Sequence, residues 1–410
     1  MIEPKLRFKA DDGSQFPDWN EKTFNDVADY KKGPFGSALK KEIFVPKSND
    51  TVKVYEQQNA IFKDWKLERY FVTNEYFQSK MKSFAVSGGD IIVSCAGTIG
   101  EMYELPHDAE EGIINQALMR VRIKKSVINS MIFRCVFDKM ISTEGVKISN
   151  GSALKNIPPF ADMKKQSVFV PSFPEQQKIA DFLSTIDTVI EKQKETVSAW
   201  EERKKGVMQK LFNQEVRFKA DDGNEFPEWE KKPFGDIVSE FKVKTKVENE
   251  DTLLSCAING VFLNSELFGH QRGQSNIGYL KIKKGTLILS AQNLHLGNAN
   301  VNLRFEHGII SPAYKTYDIV GCSAEYMSQW VKWDMTKQFF YNATTVGASE
   351  CRRNVDWSML YSQLFAVPCL AEQQKIADCL SSLDEVIEKQ KATLAAWEEM
   401  KKGLLQQMFV

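Results

Sequence analysis

Apolar residues recur at steps of mostly three or four along two long stretches of the chain. Over residues 174–212 they are Ile179, Phe182, Leu183, Ile186, Val189, Ile190, Val197, Trp200, Val207, Met208 and Leu211. Ile376, Leu380, Leu383, Val386, Ile387, Leu394, Trp397, Leu404, Leu405 and Met408 repeat the phase near the C-terminus. This spacing predicts one apolar stripe on each of two long helices. At about 1.5 Å per residue each helix reaches about 55 Å, and a stripe of that length needs a partner. The other copy is the simplest partner. An antiparallel coiled coil is expected, because only NQEV separates Phe212 from the start of a second, equivalent unit. Gly206 and Gly403 fall at matching positions, where they permit a bend or a close helix contact.

Residues 21–170 and 231–367 show a different pattern. Short runs rich in Val, Ile, Phe and Tyr are broken by Gly and Asn turns, as in GGDIIVSCAGTIG at 88–100 and GTLILSAQNLHLG at 285–297. Mixed α/β (α+β) domains with twisted sheets are expected. RFKADDGSQFPDW at 7–19 returns as RFKADDGNEFPEW at 217–229, and EQQKIAD at 175–181 returns at 372–378. The offset is 210 for the first motif, 196 for Ser94 and Ser290 and for GIINQA and GIISPA, and 197 for EQQKIAD. One fold is therefore used twice with diverged surfaces, the first copy carrying about 14 extra residues around positions 32–77. A pseudo-twofold internal repeat follows from that duplication.

Composition narrows the class only a little. The 410 residues are more than one core usually serves. Lys plus Arg equals Asp plus Glu at 54 each, which argues against an overall basic coat but leaves room for a local basic cleft. The seven cysteines form no CxxC pair and the four histidines no ligand spacing, so no metal is expected. No apolar run approaches the about 20 residues needed to cross a bilayer, and the charged start does not suit a signal peptide. A cytoplasmic protein with no membrane partner is expected.

The order, duplication and spacing of these motifs resemble the specificity subunit of type I restriction-modification systems across essentially the whole chain. The residues that carry the resemblance are the helix start at 171–180, its partner at 370–387, FPDW at 16–19 and FPEW at 226–229, and GPFGSALK at 33–40. The resemblance implies a non-catalytic reader of duplex DNA. Target-recognition domains would occupy 1–170 and 214–367, with helices at 171–213 and 368–410. Each domain would contact one half of an asymmetric bipartite site, and the helix pair would set the spacer. Two modification subunits would dock on the helical repeats and restriction subunits would join them. S-adenosylmethionine, ATP and Mg would belong to those partners, leaving no cofactor on this chain. Consistent with that division, no GxxxxGK[ST] loop occurs, and NIPPF at 156–160 has Ile157 where an adenine-methylation motif needs Asn or Asp.

Side-chain chemistry selects the candidate DNA contacts. Arg and Lys hold phosphates or guanine edges, Asn and Gln pair with adenine edges, and glycine turns let backbone approach a groove. In the first domain these are Ser37, Lys40, Lys41, Asn115, Gln116, Ser152 and Lys155. In the second they are His270, Gln271, Arg272, Gln274, Ser275 and Asn276 of one polar loop, with Arg352 and Arg353. Ile179, Phe182, Ile186, Trp200, Ile376, Leu380, Leu383 and Trp397 are candidates for helix packing or partner docking. The repeated EQQKIAD, IEKQK and AWEE segments within 175–202 and 372–399 are candidate docking surfaces. Trp65, Trp330, Trp333 and Trp357 are expected to pack inside the fold rather than stack on unpaired bases. A protein-binding adaptor with two variable domains is the main alternative, and an enzyme the weaker third, since no compact acid-base, nucleophile or metal constellation emerges.

Overall fold

The run Ile91–Ser94 is apolar without alternation, and every one of its residues is buried. A strand reads this way when both of its faces are covered. In the computed structural model, which describes residues 4–148, 160–268, 275–349 and 352–409, it lies third in a four-stranded sheet. The order is Ala28–Lys32, Leu118–Ile123, Ile91–Ser94, Met102–Glu104, antiparallel throughout. Ile91 and Val93, with Met119 and Val121, face Phe133 and Phe137 of the helix Ser130–Ile148. Ile92 and Leu118 turn the other way, onto Tyr55 and Ile114. The two-residue period of a strand thus feeds two cores from one run.

The chain divides into two compact units, Met1–Glu191 with Ala395–Val410, and Lys192–Leu394. The second unit repeats the same sheet order with Val238–Phe241, Tyr314–Ile319, Leu287–Ser290 and Ala299–Val301. Leu287 and Leu289 enter a core with Tyr326, Trp330 and Phe365, while Ile288 faces Leu254 and Ile310. Trp330 is buried, and Trp333 and Trp357 pack partly buried against the same core. Trp65 packs partly buried against the core of Tyr55 and Ile92.

The extra length of the first unit has a definite place. Its second sheet joins Tyr70–Thr73, Thr51–Tyr55, Gly112–Ile114 and Ala85–Val86. Between the first two of these strands residues 56–69 include the helix Gln57–Ile61, whereas Leu254–Ala257 and Gly260–Leu263 are joined by a tight turn at 258–259. The loop at 33–50 is also longer than its counterpart. Residues 264–279, leading to Leu280–Lys283, offset part of the gain. Gly112 and Gly308 begin the GII runs of the strands Gly112–Ile114 and His307–Ile310, and a Cβ there would press on Lys53 and Tyr55 or on Leu254.

The two long helices span Phe173–Phe212 and Leu370–Met408, each contributing to both units. In the second unit they pack antiparallel. Lys204 binds Asp384 at 2.6 Å and Gln193 Nε2 donates to Gln390 Oε1 at 2.8 Å. In the first unit Lys401 binds Asp187 at 2.5 Å, the same two residue types displaced by 197. A Cβ at Gly206 or Gly403 would meet open space, so neither glycine serves a close helix contact.

The repeated motifs meet at the helix starts. Arg7 Nε and Nη2 donate to Glu175 at 3.0 and 2.9 Å, and Trp19 Nε1 donates to the same carboxylate at 3.1 Å. Arg217 and Trp229 grip Glu372 in the same way, at 3.0, 2.8 and 3.0 Å. Both carboxylates are 0% exposed, and that carboxylate beside Arg217 raises the guanidinium above its ordinary pKa. Burial at this cost requires full pairing, which explains why both partners recur together. Gln176 and Gln373 are also buried, donating to Pro171 O and Pro368 O at 3.0 and 2.8 Å. The start of EQQKIAD is therefore an internal fastening, a correction to its expected use as a docking surface.

Candidate nucleic-acid interface

The turn after Gly112–Ile114 holds two of the expected DNA-facing residues. Asn115 N–H donates to Tyr55 O at 3.0 Å, Cys95 N–H donates to Ala117 O at 2.8 Å, and Asn115 Oδ1 accepts from Ala117 N–H at 3.0 Å. The turn thus uses the Asn115 carbonyl and leaves its NH₂ as a donor. Gln116 is exposed, and among the described residues neither end of its amide has a partner. Such an amide retains both the donor and the acceptor that a base edge requires. Burial pushes the neighbouring Cys95 thiol up to about 12, away from nucleophilic chemistry.

Gly33 brings a second loop against this turn. Its N–H donates to Leu118 O at 2.8 Å, and a Cβ would overlap the carbonyl of Asn115. Pro34 is buried, Ala38 N–H donates to Phe35 O at 2.9 Å, and Tyr76 OH donates to Ala38 O at 2.8 Å. Ser37, Lys40 and Lys41 lie exposed on this loop, around the short turns Gly36–Ala38 and Lys41–Ile43. The structure therefore joins two candidate segments that are far apart in sequence.

Between them lies an open groove of about 510 Å³, walled by Tyr30, Lys32, Phe35, Phe84, Gln116 and Phe160. Tyr30 OH donates to Phe24 O at 3.0 Å, and burial pushes the hydroxyl's pKa up, which makes it a wall rather than an acid or base. The Lys31 ammonium sits 4.6 Å from the Phe84 ring centre, and that of Lys164 lies 6.0 and 5.0 Å from Tyr30 and Phe160. Among the described residues none of Lys31, Lys32, Lys40, Lys41 and Lys164 forms an ion pair with a carboxylate. Elsewhere Lys47, Lys63, Lys283, Lys284 and Lys315 each do. The neutral total charge hides a local surplus of cations suited to phosphates.

The second unit builds the matching turn with other side chains. Ser311 Oγ accepts from Ala313 N–H at 3.3 Å and Ala291 N–H donates to Ala313 O at 3.1 Å, as Asn115 and Cys95 do in the first. Pro312 stands where Gln116 does. A smaller groove of about 280 Å³ adjoins it, with Ser255, Asn264, Phe268, Tyr279, Ser311 and Tyr314 in its wall. No Lys or Arg lines it among the described residues.

The remaining candidates separate. Ser275 donates to Glu248, whereas Asn276 is 0% exposed, exchanging side-chain and backbone bonds of 2.8 Å with Asn249. A buried amide must be hydrogen-bonded, so Asn276 organises the loop and presents nothing to a groove, a correction to its expected exposure. Arg353 is held across its hairpin, donating to Thr344 Oγ1 and O at 2.7 and 2.9 Å and lying 4.0 Å from the Tyr341 ring centre. Arg352 begins the strand Arg352–Val355. Its side chain, with Ser152, Lys155, His270, Gln271, Arg272 and Gln274, lies outside the described residues. Ile179, Ile186, Ile376 and Leu380 are buried, and Phe182 and Leu383 pack against the cores. Trp200 and Trp397 are half-buried outside the core clusters, with the Arg203 guanidinium 5.1 Å from the Trp200 ring centre.

Residues 17–198 match the type I restriction modification DNA specificity domain. The matched segment is a domain of this family. It is 15% identical to the type I restriction-modification S subunit of M. genitalium, over 100% of this chain and 99% of that one, with a TM-score of 0.51. It is 13% identical to a chain from work on complex assembly and conformational transition of the type I R-M system, over 96% and 98% of the two chains, with a TM-score of 0.56. Both likenesses show the fold along nearly the full length. The family of the matched segment is one of DNA specificity. Among the chain's described residues no group of His, Cys, Asp and Glu is placed to hold a metal ion, and no helix is long and apolar enough to cross a membrane.

Motif and spacing alone do not single out Phe35, Lys31, Lys32 and Lys164. GPFG drew attention to Ser37 and the lysines after it, yet an aromatic residue set between a proline and a glycine was itself a signal. The cations on Lys31 and Lys32 gain meaning only once their lack of carboxylate partners is seen.

Proposed function

We propose that this chain recognises an asymmetric bipartite site in duplex DNA, one half per unit, and directs modification and restriction subunits to it in the cytoplasm. The observation that carries the reading is the pair of matched turns. Each turn leads into the second strand of the four-stranded sheet common to both units, with Asn115 and Gln116 in the first and Ser311 and Pro312 in the second, so the surfaces offered to DNA would differ on a shared sheet. Target-recognition domains at 1–170 and 214–367 would read the halves, and the helices at 171–213 and 368–410 would set the spacer. Two modification subunits would dock on the helices, where Trp200 and Trp397 present half-buried rings at equivalent positions. S-adenosylmethionine, ATP and Mg would be bound by the partners.

The test is to map N6-methyladenine across a genome after coexpressing the chain with its neighbouring modification subunit, in a host lacking adenine methylation. The expected result is a chain-dependent motif of two unlike halves separated by a fixed gap. A soluble complex with an active modification subunit and no such motif would refute the reading.

A further inference from the structure

Phe35 is the most exposed large apolar side chain among the described residues, at 90%, whereas none of the others exceeds 65%. Its exposure does not come from a slack loop. Gly33 is bonded to Leu118, Pro34 is buried, and the Phe35 carbonyl accepts from Ala38, whose own carbonyl accepts from Tyr76 OH. The ring is held out on an anchored support, at the edge of the groove that also presents Gln116. Lys31 and Lys32 line the same groove, Lys164 lies against its Tyr30 and Phe160 walls, and Lys40 and Lys41 follow Phe35 on the loop with Glu42 and Asp50; none of these five lysines is in an ion pair among the described residues. An apolar surface for a protein partner gains nothing specific from five unpaired cations. A polyanion with stacked aromatic bases satisfies both features.

We infer that Phe35 is a wedge that inserts at a base step within the half-site of the first unit, stacking on one base while the surrounding lysines hold the flanking phosphates. This deepens the proposed role as a DNA reader and rests on it. Opening a step costs least at flexible pyrimidine–purine sequences, so the wedge adds preference at a position no polar side chain needs to touch. The second unit has no counterpart: the strand Val238–Phe241 is followed by Lys242, Val243, Lys244 and Thr245, with no aromatic residue.

The experiment uses the full chain with its modification subunit and duplexes carrying the mapped motif. 2-Aminopurine is placed at successive steps of each half, apart from the methylated adenines. The wild-type complex is expected to brighten one step in the first unit's half several-fold. Phe35→Ala should abolish that signal and weaken binding about tenfold, with no change in melting temperature and none in the other half. Phe35→Leu, still an apolar wedge, should retain the signal and serves as a second variant. No bright step in the wild type, or the same bright step in Phe35→Ala, overturns the inference while the mapped motif still upholds the DNA-reading role. Loss of assembly with the modification subunit, with the DNA signal unchanged, also overturns it and makes Phe35 a protein contact.

Discussion

The fastening at each helix start and the turn at each sheet edge are both duplicated, but only the first is duplicated in its chemistry. Arg7, Trp19 and Glu175 reappear as Arg217, Trp229 and Glu372 with the same donors, and distances agree within about 0.1 Å. The turns keep the backbone bonds of Cys95 with Ala117 and of Leu118 with Asn115, as Ala291 with Ala313 and Tyr314 with Ser311, but exchange Asn115 and Gln116 for Ser311 and Pro312. A buried carboxylate leaves no freedom, because any substitution strands its donors. An exposed turn held by backbone bonds tolerates whatever side chain its ligand selects. Repetition in this chain therefore marks structure, and its failure marks the proposed recognition surface.

Substitution at the fastening should give the largest effect. Glu175→Ala and Glu372→Ala are each expected to destabilise their own unit by about 2–3 kcal/mol, since a buried bidentate pair and a Trp N–H lose their acceptor. Hydrogen exchange resolved by unit would measure this, and equal loosening of both units by one substitution would break the comparison. Gln116→Ala should act on recognition alone. Its stability should stay within about 0.5 kcal/mol of the wild type, while one half of the methylation motif relaxes about tenfold. If both halves relax together, the turns do not read separately. The smallest effect belongs to the helix ion pairs. Double-mutant cycles at Lys204–Asp384 and Lys401–Asp187 should each return about 0.5–1 kcal/mol, because both pairs remain partly exposed. Clearly unequal values would show that the helix repeat is chemical in sequence only.

Much of the fold was legible without coordinates. Helical spacing marked two long helices now found at Phe173–Phe212 and Leu370–Met408, and the 196-residue offset between Ser94 and Ser290 matches the common sheet order. The candidate interface was legible in part. GPFG and GIINQA were each noticed, but nothing in a linear pattern shows that Gly33 must pass so close to Asn115 that a Cβ would not fit. Asn276 looked like its polar neighbours and proved buried, because exposure of a polar loop residue depends on what folds over it, here Asn249.

The chain's own order of residues determined the number of repeats, the helix stripes, the strand runs and which motifs recur, because these follow from periodicity and local propensity. Tertiary structure alone decided which charges are neutralised. Lys178 reaches Asp11 and Lys375 reaches Asp221 across more than 150 residues, while Lys31 and Lys32 reach no carboxylate among the described residues. Coulomb attraction depends on distance in space and on exposure to solvent, and neither is written in the spacing of residues along a chain.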